Sequence, residues 1–325
     1  MKRGPRAGHV GHRLTSAASV LILLGAAPLL IAQKRAPSPA PTGAPAASAT
    51  VQKMRSLGRI AFGYRTDARP FSYADDSGQP AGYSVSLCRS LADAIKGQPG
   101  LAAVVPEWVP VTADDRFRAL QEGRIDVLCG AVSVTLGRRA EVSFSIPVFP
   151  GGLGALVHAD ASARLREVLS GRGQVLRPVW RASAVQALQS RSFVAVSGTT
   201  TEAWLAERTR ELQIITNVST VSSYDAGLQR VVDRTADALF GERAVLLDAA
   251  KRHARAGDLL VVDRLFTHEP LALAFPRGDE ELRLLVDRTL SRFYSSGELA
   301  ALYTNWFGEP DATALAFFRW NTLPD

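Results

Sequence analysis

The stretch IAFGYRTDARPFSYADDSGQPAGYSVSLCRSLADAIK, residues 60–96, joins a strand pattern to a helix pattern. Its first five residues, 60–64, form a short apolar run with aromatic side chains, which predicts a strand. Residues 82–96 predict a helix, because apolar side chains recur there at helical spacing, at Val85, Cys88, Leu91, Ala92 and Ile95. A strand followed by a helix is the repeating unit of proteins built around a mostly parallel sheet.

The same alternation continues through the rest of the chain. Further strands are predicted at residues 104–111, 125–132, 193–196, 212–217 and 236–240. Further helices are predicted at residues 114–122, 200–212, 224–233, 279–296 and 299–307. Two extended runs, 153–158 and 269–275, separate two similar sets of these elements. The order predicts an α/β fold with two lobes, each a mostly parallel sheet flanked by helices, joined by two crossover hinge strands.

The predicted lobes are discontinuous in sequence. We predict that lobe 1 comprises residues 55–152 and 270–325, and that lobe 2 comprises residues 153–269. Within lobe 2, residues 160–192 are amphipathic and rich in arginine. We interpret them as a surface excursion, which either docks a partner or forms a solvated helical hairpin. The cleft between two lobes is the expected binding place for a small ligand.

Composition and charge narrow the classes of function. The chain has 325 residues, of which 46% are hydrophobic and 21% charged, as in ordinary globular proteins of about two domains. The formal net charge is +7, but residues 1–50 contribute +6 of it and residues 51–325 only +1. The nearly balanced charge of the folded part removes the main electrostatic support for binding nucleic acid.

The first residues of the chain have the pattern of an export signal. Four basic residues precede a long apolar stretch at residues 14–32, and this order is typical of secretory signal sequences. Residues 1–32 are therefore predicted as either a cleaved signal or an uncleaved membrane anchor. Residues 33–54, rich in Pro, Ala and Ser, are predicted as a semi-rigid tether. Either interpretation places the rest of the chain in an extracytoplasmic, periplasmic compartment.

The chain contains two cysteines, Cys88 and Cys129. An even count in an exported protein favours a disulfide, although two buried free thiols also fit the sequence. The two cysteines and the five scattered histidines show no metal-ligand spacing. The sequence predicts neither a metal site nor a cofactor.

Several segments, taken together, resemble one known family. They are residues 63–73, 82–88, 120–130 and 197–202, the pair Arg138-Arg139 with Phe144-Ser145, and Gly297-Glu298 with Trp306-Phe307-Gly308. In this order they resemble the extracellular solute-binding proteins of the polar amino-acid family, the receptors of ATP-driven uptake systems. Arg65, the paired cysteines and the Cys-Gly after the third strand look most like the glutamate/aspartate-binding branch.

The resemblance implies a type II periplasmic-binding-protein fold and a binding function without catalysis. It implies a monomer that delivers a polar amino acid, with an acidic one favoured, to the permease of an ABC transporter in the membrane. Two lobes would close around the ligand by a hinge motion.

One group of residues is suited to the ligand's α-carboxylate. The Arg138 guanidinium can donate two parallel hydrogen bonds to a carboxylate, and the family also has an arginine at this position. The sequence Ser197-Gly-Thr-Thr opens a predicted helix. The backbone N–H groups near Thr199 and Thr200 therefore offer a second anion contact from the other lobe.

The α-ammonium and the ligand side chain need other partners. Glu242 stands where the family has Asp, and the Ser133 hydroxyl and the Ala131 carbonyl are further candidate acceptors. The resemblance places Arg65 and Arg116 near the ligand side chain, where two cations suit a second carboxylate. The remaining pocket candidates are Tyr224, at a position where some relatives have histidine, and Phe71, on the loop after the first strand.

Each candidate also has a purely structural interpretation. Arg65 has Asp67 and Asp75 as possible ion-pair partners, Arg138 has Arg139 beside it on a helix surface, and Arg116 follows two aspartates. Thr200 can cap its helix, and Glu242 can pair with Arg243.

Two other functions stay open. A prephenate or arogenate dehydratase-like enzyme on the same scaffold would use Glu242 as general acid. A tethered ligand sensor fits the Pro-rich segment.

Overall fold

In the computed structural model of the protein, most strands belong to two sheets. The structure describes residues 48–171 and 181–324, and the side chains of residues 131 and 181–184 lie outside this description. The strands are β1 Arg59–Arg65, β2 Asp67–Ala68, β3 Ser72–Ala74, β4 Pro80–Ala81, β5 Val105–Val111, β6 Val127–Ser133, β7 Val142–Phe144, β8 Phe149–Gly151, β9 Leu153–His158, β10 Ser192–Val196, β11 Asn217–Val221, β12 Ala238–Glu242, β13 Leu259–Val261 and β14 Glu269–Pro276.

Helices follow most of the parallel strands. They are α1 Ala49–Leu57, α2 Tyr83–Lys96, α3 Arg116–Gln121, α4 Leu136–Arg139, α5 Ala163–Ser170, α6 Arg181–Leu188, α7 Thr200–Glu211, α8 Tyr224–Val232, α9 Arg243–Arg252, α10 Glu280–Ser296, α11 Glu298–Phe307 and α12 Ala312–Asn321. Within the described ranges, no helix is both long enough and apolar enough to cross a membrane.

The two sheets repeat one topology. The first has the order β5-β1-β6-β14-β7, with β8 also paired to β14, and the second has the order β11-β10-β12-β9-β13. In the first sheet β1 is parallel to β5 and β6, while β14 runs antiparallel. In the second, β10 is parallel to β11 and β12, while β9 runs antiparallel. A short three-stranded sheet, β2-β3-β4, follows β1.

The chain passes between the sheets twice. It leaves the first sheet after β8 and enters the second at β9, then returns to the first at β14. These are the two extended runs that the sequence predicts as crossovers. The predicted α/β fold of two sheets flanked by helices is therefore confirmed.

The face of α2 shows why this fold is stable. Its apolar side chains, Val85, Cys88, Leu91, Ala92 and Ile95, are all buried as the helical spacing predicts. Four of them, Cys88, Leu91, Ala92 and Ile95, pack in a core cluster that also contains Ile60 and Phe62 of β1. A disulfide joins Cys88 of α2 to Cys129 of β6, as the cysteine count favours, and the described part of the chain contains no free cysteine.

One predicted strand is wrong. The sequence predicts a strand at residues 212–217, but α7 ends at Glu211 and the strand is β11, Asn217–Val221. Gln213 has φ +52° and Ile215 is 78% exposed, so this apolar run lies in a turn. The residues that pair with β10 are those of β11, from Asn217↔Ser192 to Val221↔Val196.

The end of the predicted tether also differs from the structure. Residues 48–54 are not a linker, because α1 begins at Ala49 and buries Val51 and Met54. The Thr50 N–H donates to Asp279 Oδ2 at 3.2 Å, which fixes this helix against the start of α10. The predicted leader and residues 33–47 of the predicted tether lie outside the described residues.

The predicted excursion at residues 160–192 is described only in part. It includes α5, where Ser162 caps the helix by accepting a hydrogen bond from the Leu165 N–H. It also includes α6, while residues 172–180 lie outside the described residues.

Candidate functional site

A cavity lies between the two sheets. It encloses about 60 Å³, and because one water needs about 10–15 Å³ on the same measure, it has room for a few water molecules or one small compact ligand. The first sheet and its helices contribute Arg65, Phe71, Arg116, Ser133 and Arg138, while the second contributes Leu153, Thr199, Thr200, Tyr224 and Glu242. Most of the residues predicted as ligand contacts are therefore brought together on one cavity wall.

The strand topology explains this meeting. Arg65 ends β1, Ser133 ends β6 and Glu242 ends β12, while α7 starts four residues after β10 ends. The carboxyl ends of parallel strands lie at one edge of each sheet, and these edges are where α/β proteins bind ligands. The two edges face each other across the cavity.

Arg116 is a buried cation with an unused donor. Its residue is only 4% exposed, and its Nη2 donates to the Gly198 carbonyl oxygen of the other lobe at 3.0 Å. Its Nη1 is buried and has no hydrogen-bond partner in the structure. Burial, with the nearby positive charges of Arg138 and Arg65, lowers the pKa of Arg116 to about 9. The group stays charged at neutral pH, so an anion in the cavity would satisfy it.

Arg138 lies beside Arg116 over the same aromatic ring. The two guanidinium carbons are 5.2 Å and 4.6 Å from the centre of the Phe117 ring. Nη1 of Arg138 donates to the Ser133 carbonyl oxygen at 2.9 Å. Burial lowers the pKa of Arg138, and the Glu269 carboxylate opposes this effect. Neither Arg138 nor Arg116 forms an ion pair with a carboxylate in the part of the chain that the structure describes.

Arg65 is held differently. Its Nε and Nη2 donate to the two carboxylate oxygens of Asp67 at 2.7 Å and 2.8 Å. Arg65 is 8% exposed and lines the cavity. The ion pair with Asp67, which the sequence offers as the structural alternative, is therefore present, and it coexists with a place on the cavity wall. The pair brings little net charge to the cavity.

The start of α7 approaches the first lobe closely. Thr199 occupies the N-cap position, but its Oγ1 donates to the Val196 carbonyl oxygen at 2.6 Å and does not cap the helix. Gly198 has φ +70°, and a Cβ atom there would lie 2.4 Å from Asp114 Oδ1 and 3.0 Å from the Ala113 carbonyl oxygen. Thr200 is the first helical residue. The N–H groups of this first turn point toward the cavity end of the helix, where an anion is favoured.

Glu242 is partly buried at the end of β12 and caps α9. Its carboxylate accepts hydrogen bonds from the N–H groups of Gly152 at 3.0 Å and Ala244 at 3.4 Å. Burial raises the pKa of Glu242 to about 8, with a smaller contribution from the Glu269 carboxylate and partial compensation by those hydrogen bonds. The carboxyl group is therefore largely protonated at neutral pH until a cation approaches it. Arg243, the alternative partner, forms an ion pair with Asp263 at 3.2 Å and only weakly opposes the rise in the pKa of Glu242.

The remaining predicted contacts differ in their exposure to the cavity. Tyr224 is buried beside Glu242, whose N–H donates to the Tyr224 hydroxyl at 3.4 Å, and burial raises the pKa of Tyr224 to about 12. Its ring fits because position 241 is glycine, where a Cβ atom would lie 2.5 Å from Tyr224 Cε1. Phe71 lines the cavity but packs mainly against Phe149 and Phe307. Ala131 lies in β6, and the structure describes only its backbone.

Glu269 is a charged residue of this region that the sequence reasoning missed. It begins β14, and its Oε2 accepts a hydrogen bond from Thr200 Oγ1 at 2.9 Å. The sequence signal available was an acidic residue at the start of the second crossover strand. In the described ranges, no group of three or more His, Cys, Asp or Glu side chains is arranged to hold a metal ion.

The chain is similar to known binding proteins. The family model of bacterial extracellular solute-binding proteins, family 3, matches residues 60–309. The chain is 24% identical over 272 residues to the L-glutamate/L-aspartate-binding protein of Pseudomonas aeruginosa, with 83% of this chain and 84% of that protein covered. It is 25% identical over 264 residues to the ABC transporter glutamine-binding protein of Bacillus subtilis, with 81% and 86% covered.

A solved structure is similar over almost its full length. It is that of an ancestral amino acid-binding protein, a precursor of cyclohexadienyl dehydratase. The sequence identity is 28% and the TM-score 0.64, with 79% of this chain and 99% of that chain covered. The names of these proteins refer to different ligands, so the similarity supports binding of an amino acid more strongly than it supports one particular amino acid.

Proposed function

The chain belongs to the bacterial extracellular solute-binding proteins, family 3, as its motifs predict, and from this premise we propose that it binds an acidic amino acid, glutamate or aspartate. The cavity between the two sheets is the proposed binding site. The residues proposed to contact the ligand are Arg65, Phe71, Arg116, Ala131, Ser133, Arg138, Thr199, Thr200, Tyr224 and Glu242.

The observation that carries this proposal is the pair of unpaired cations. Arg116 and Arg138 are on the cavity wall without a carboxylate partner in the described part of the chain, and Arg116 Nη1 has no hydrogen-bond partner. An unpaired buried cation is costly, so its retention favours a site that an anionic ligand completes. Arg138 receives the α-carboxylate together with the first N–H groups of α7, and Arg116 receives the side-chain carboxylate.

The opposite side of the cavity is suited to the α-ammonium. Glu242 loses its proton when an ammonium group comes within hydrogen-bond distance, because a nearby cation favours the charged form of a carboxyl group. The Ser133 hydroxyl is a second acceptor on the wall. An amino acid that bridges both lobes in this way favours the closed arrangement.

The cellular role follows from the same proposal. Residues 1–32 direct export, residues 55–152 with 270–325 and residues 153–269 are the two lobes, and the protein works as a monomer. The closed, liganded form docks on the permease of an ABC transporter. The names of relatives, including an ABC transporter glutamine-binding protein, support this role.

A thermal-shift and calorimetric screen tests the proposal. The purified protein is measured with each standard amino acid and with small dicarboxylates, because a ligand that binds only the folded state raises Tm by mass action. We expect a selective rise with glutamate or aspartate. No rise with any amino acid would overturn the proposal, and a rise with arginine or lysine alone would overturn the assignment of an acidic ligand.

A dehydratase is the second candidate. Two observations favour it: Glu242 keeps a proton near neutral pH in the cavity, as a general acid must, and one similar structure is a precursor of a cyclohexadienyl dehydratase. Incubation with prephenate or arogenate and detection of the aromatic product by absorbance tests it. Turnover that Glu242→Gln abolishes would establish this candidate, and the absence of product would remove it.

A further inference from the structure

We propose that Glu269 is a positioning residue that turns the hydroxyl groups of Thr200 and Ser133 into acceptors for the ligand's ammonium group. The inference rests on the proposed function, because it concerns the same cavity. It explains how the site distinguishes an amino acid from a dicarboxylate of similar length that has no amino group. Glu269 itself does not line the cavity.

The first step concerns the proton of Thr200. Thr200 Oγ1 lies 2.9 Å from Glu269 Oε2, across the contact between α7 and β14. A carboxylate has no proton to give, so the Thr200 hydroxyl is the donor in this bond. A hydroxyl has a single proton, and this one is committed to Glu269. The oxygen then presents only lone pairs to the cavity that it lines.

The second step passes this orientation to Ser133. Ser133 Oγ lies 3.5 Å from Thr200 Oγ1, at the long limit of a hydrogen bond, and either oxygen has the geometry to donate. Because the Thr200 proton is already committed, Ser133 is the donor. Its lone pairs also remain free on the cavity wall. Two neutral hydroxyl groups thus form an acceptor surface in the cavity that Glu242, the third acceptor, also lines.

The position of the Glu269 carboxylate is itself fixed. Its second oxygen, Oε1, accepts from Thr267 Oγ1 at 2.8 Å, and Thr267 Oγ1 accepts from the Leu153 N–H at 3.1 Å. The Glu269 backbone pairs with Gly151 in the ladder between β8 and β14. The carboxylate is therefore held by both crossover segments, and it cannot turn away from Thr200 without breaking these contacts.

The consequence is a difference between ligand groups. An ammonium donates to such a surface, whereas a carboxylate or a carbonyl oxygen cannot accept from it. The backbone N–H groups of α7 still receive the α-carboxylate, so Thr200 contributes its backbone to one ligand group and its side chain to the other. Removing the Glu269 charge should therefore lower the affinity for amino acids and leave the affinity for ligands without an amino group unchanged.

The test is a double-mutant cycle measured by titration calorimetry on the purified protein with glutamate. Glu269→Gln replaces an obligatory acceptor by an amide that can donate to Thr200, and Thr200→Val removes the hydroxyl while keeping the shape. We expect Glu269→Gln alone to lower the affinity for glutamate by about tenfold, which is the effect of one hydrogen bond to a charged group. In the Thr200→Val background the same change should cost less than about twofold, because Glu269 acts through Thr200.

Two comparisons complete the design. Glu298→Gln, on an exposed residue, is the matched control and should leave the affinity unchanged. Glutarate has both carboxylates and no amino group. Its affinity, measured by competition with glutamate, should be the same in Glu269→Gln as in the unmodified protein. The inference would be overturned if Glu269→Gln lowered the affinity for glutamate equally in both Thr200 backgrounds. It would also be overturned if the affinities for glutamate and glutarate fell equally, or if neither fell. Failure of the unmodified protein to bind any amino acid would instead overturn the proposed function.

Discussion

Arg65 and Arg116 are two buried guanidinium groups on the wall of one cavity, and only Arg65 has a carboxylate partner. Asp67 receives two hydrogen bonds from Arg65, which is a geometry specific to arginine and carboxylate. Arg116 has a backbone carbonyl oxygen on one side and an unpartnered Nη1 on the other. Both side chains end in the same solvent-poor space, so the difference lies in the neighbours that the chain supplies.

This difference indicates where the charge of a ligand is needed. A paired buried charge is satisfied within the protein and gains little from an added anion. An unpaired buried cation destabilises the protein until an anion reaches it, so the binding free energy of that anion includes the relief of this cost. The sequence predicts that Arg65, Arg116 and Arg138 all contact the ligand, and it favours Arg138 most. The structure separates them into one cation that is paired with a carboxylate and two that are not, and of these two only Arg116 has an unpartnered donor.

The largest effect is expected at Arg138. Arg138→Ala removes the fork proposed for the α-carboxylate, and the loss of one partner of a buried charge pair should weaken glutamate by about 100-fold or more. Titration calorimetry measures the loss, and circular dichroism checks that the fold is kept. The neighbouring exposed Arg139 provides the matched control, because Arg139→Ala should change affinity less than about twofold. Equal affinity of both variants and the unmodified protein would remove Arg138 from the site.

Arg116→Met should weaken binding and stabilise the ligand-free protein at the same time. Replacing an unsatisfied buried charge by an apolar side chain of similar size should raise the free energy of unfolding by about 1–3 kcal/mol. Affinity for acidic amino acids should fall by about tenfold. Urea denaturation and calorimetry measure the two quantities. Arg118→Met, on the exposed side of α3, should change neither, and a loss of stability in Arg116→Met would show that the cation is satisfied after all.

Glu242 differs from both arginines, because its buried carboxyl group keeps a proton and so carries no unpaired charge. Burial raises its pKa from 4.5 to about 8, so the folded state binds more protons than the unfolded state between these values. The stability of the ligand-free protein should therefore fall as pH rises from about 5 to about 8, by up to about 1.4 kcal/mol per pH unit from this group. Denaturation curves across this range measure the slope.

Two variants isolate that contribution. Glu242→Gln should flatten the dependence between about pH 5 and 8 because the titrating group is gone. Glu207→Gln, on an exposed position of α7, should leave it as it is. A saturating amino acid should also flatten the slope, since its ammonium returns the pKa of Glu242 toward the ordinary value. An unchanged slope in Glu242→Gln would assign the titration to another group.

The smallest effect is expected at Asp67, because removing its charge abolishes the difference between Arg65 and Arg116. Asp67→Asn leaves the shape of the pair and one acceptor oxygen but removes its negative charge, so Arg65 becomes a cation without a carboxylate partner, like Arg116. Affinity for glutamate should rise by about three- to tenfold, while affinity for glutamine should stay within about twofold. Asp76→Asn, an exposed change on the next loop, serves as the control. A parallel rise for both ligands would indicate a change in closure and not in charge.

Much of the architecture follows from local sequence patterns. The spacing of apolar residues in α2 and the two crossover runs are enough to predict a two-sheet α/β fold. The predicted strand at residues 212–217 fails because apolar content alone does not decide which residues of a run enter the sheet. There the backbone turns at Gln213 and exposes Ile215, and the pairing with β10 begins only at Asn217.

The residues that line the cavity were largely predictable from the sequence, but their ion-pair and hydrogen-bond partners were not. Arg138, Arg116, Thr200 and Glu242 are placed on one cavity by strand ends that the alternation of elements locates. Whether a given arginine is satisfied depends on side-chain directions, as with Asp67 two residues after Arg65. Glu269 escaped notice because its importance depends on Thr200, which is 69 residues away in the chain.

The close approach at Gly198 has a mechanical consequence. A Cβ atom there would lie 2.4 Å from Asp114 Oδ1, at the end of an exposed side chain, and 3.0 Å from the Ala113 carbonyl oxygen, so the Ala113 backbone would have to shift by a few tenths of an ångström. Substitution by alanine would therefore push the start of α7 away from residues 113–114 and lengthen the contact between Arg116 and the Gly198 carbonyl oxygen. Binding of a ligand and complete closure of the two lobes are therefore separable by one methyl group. A membrane partner that recognises only the fully closed form would not bind this variant, even when ligand occupies its cavity.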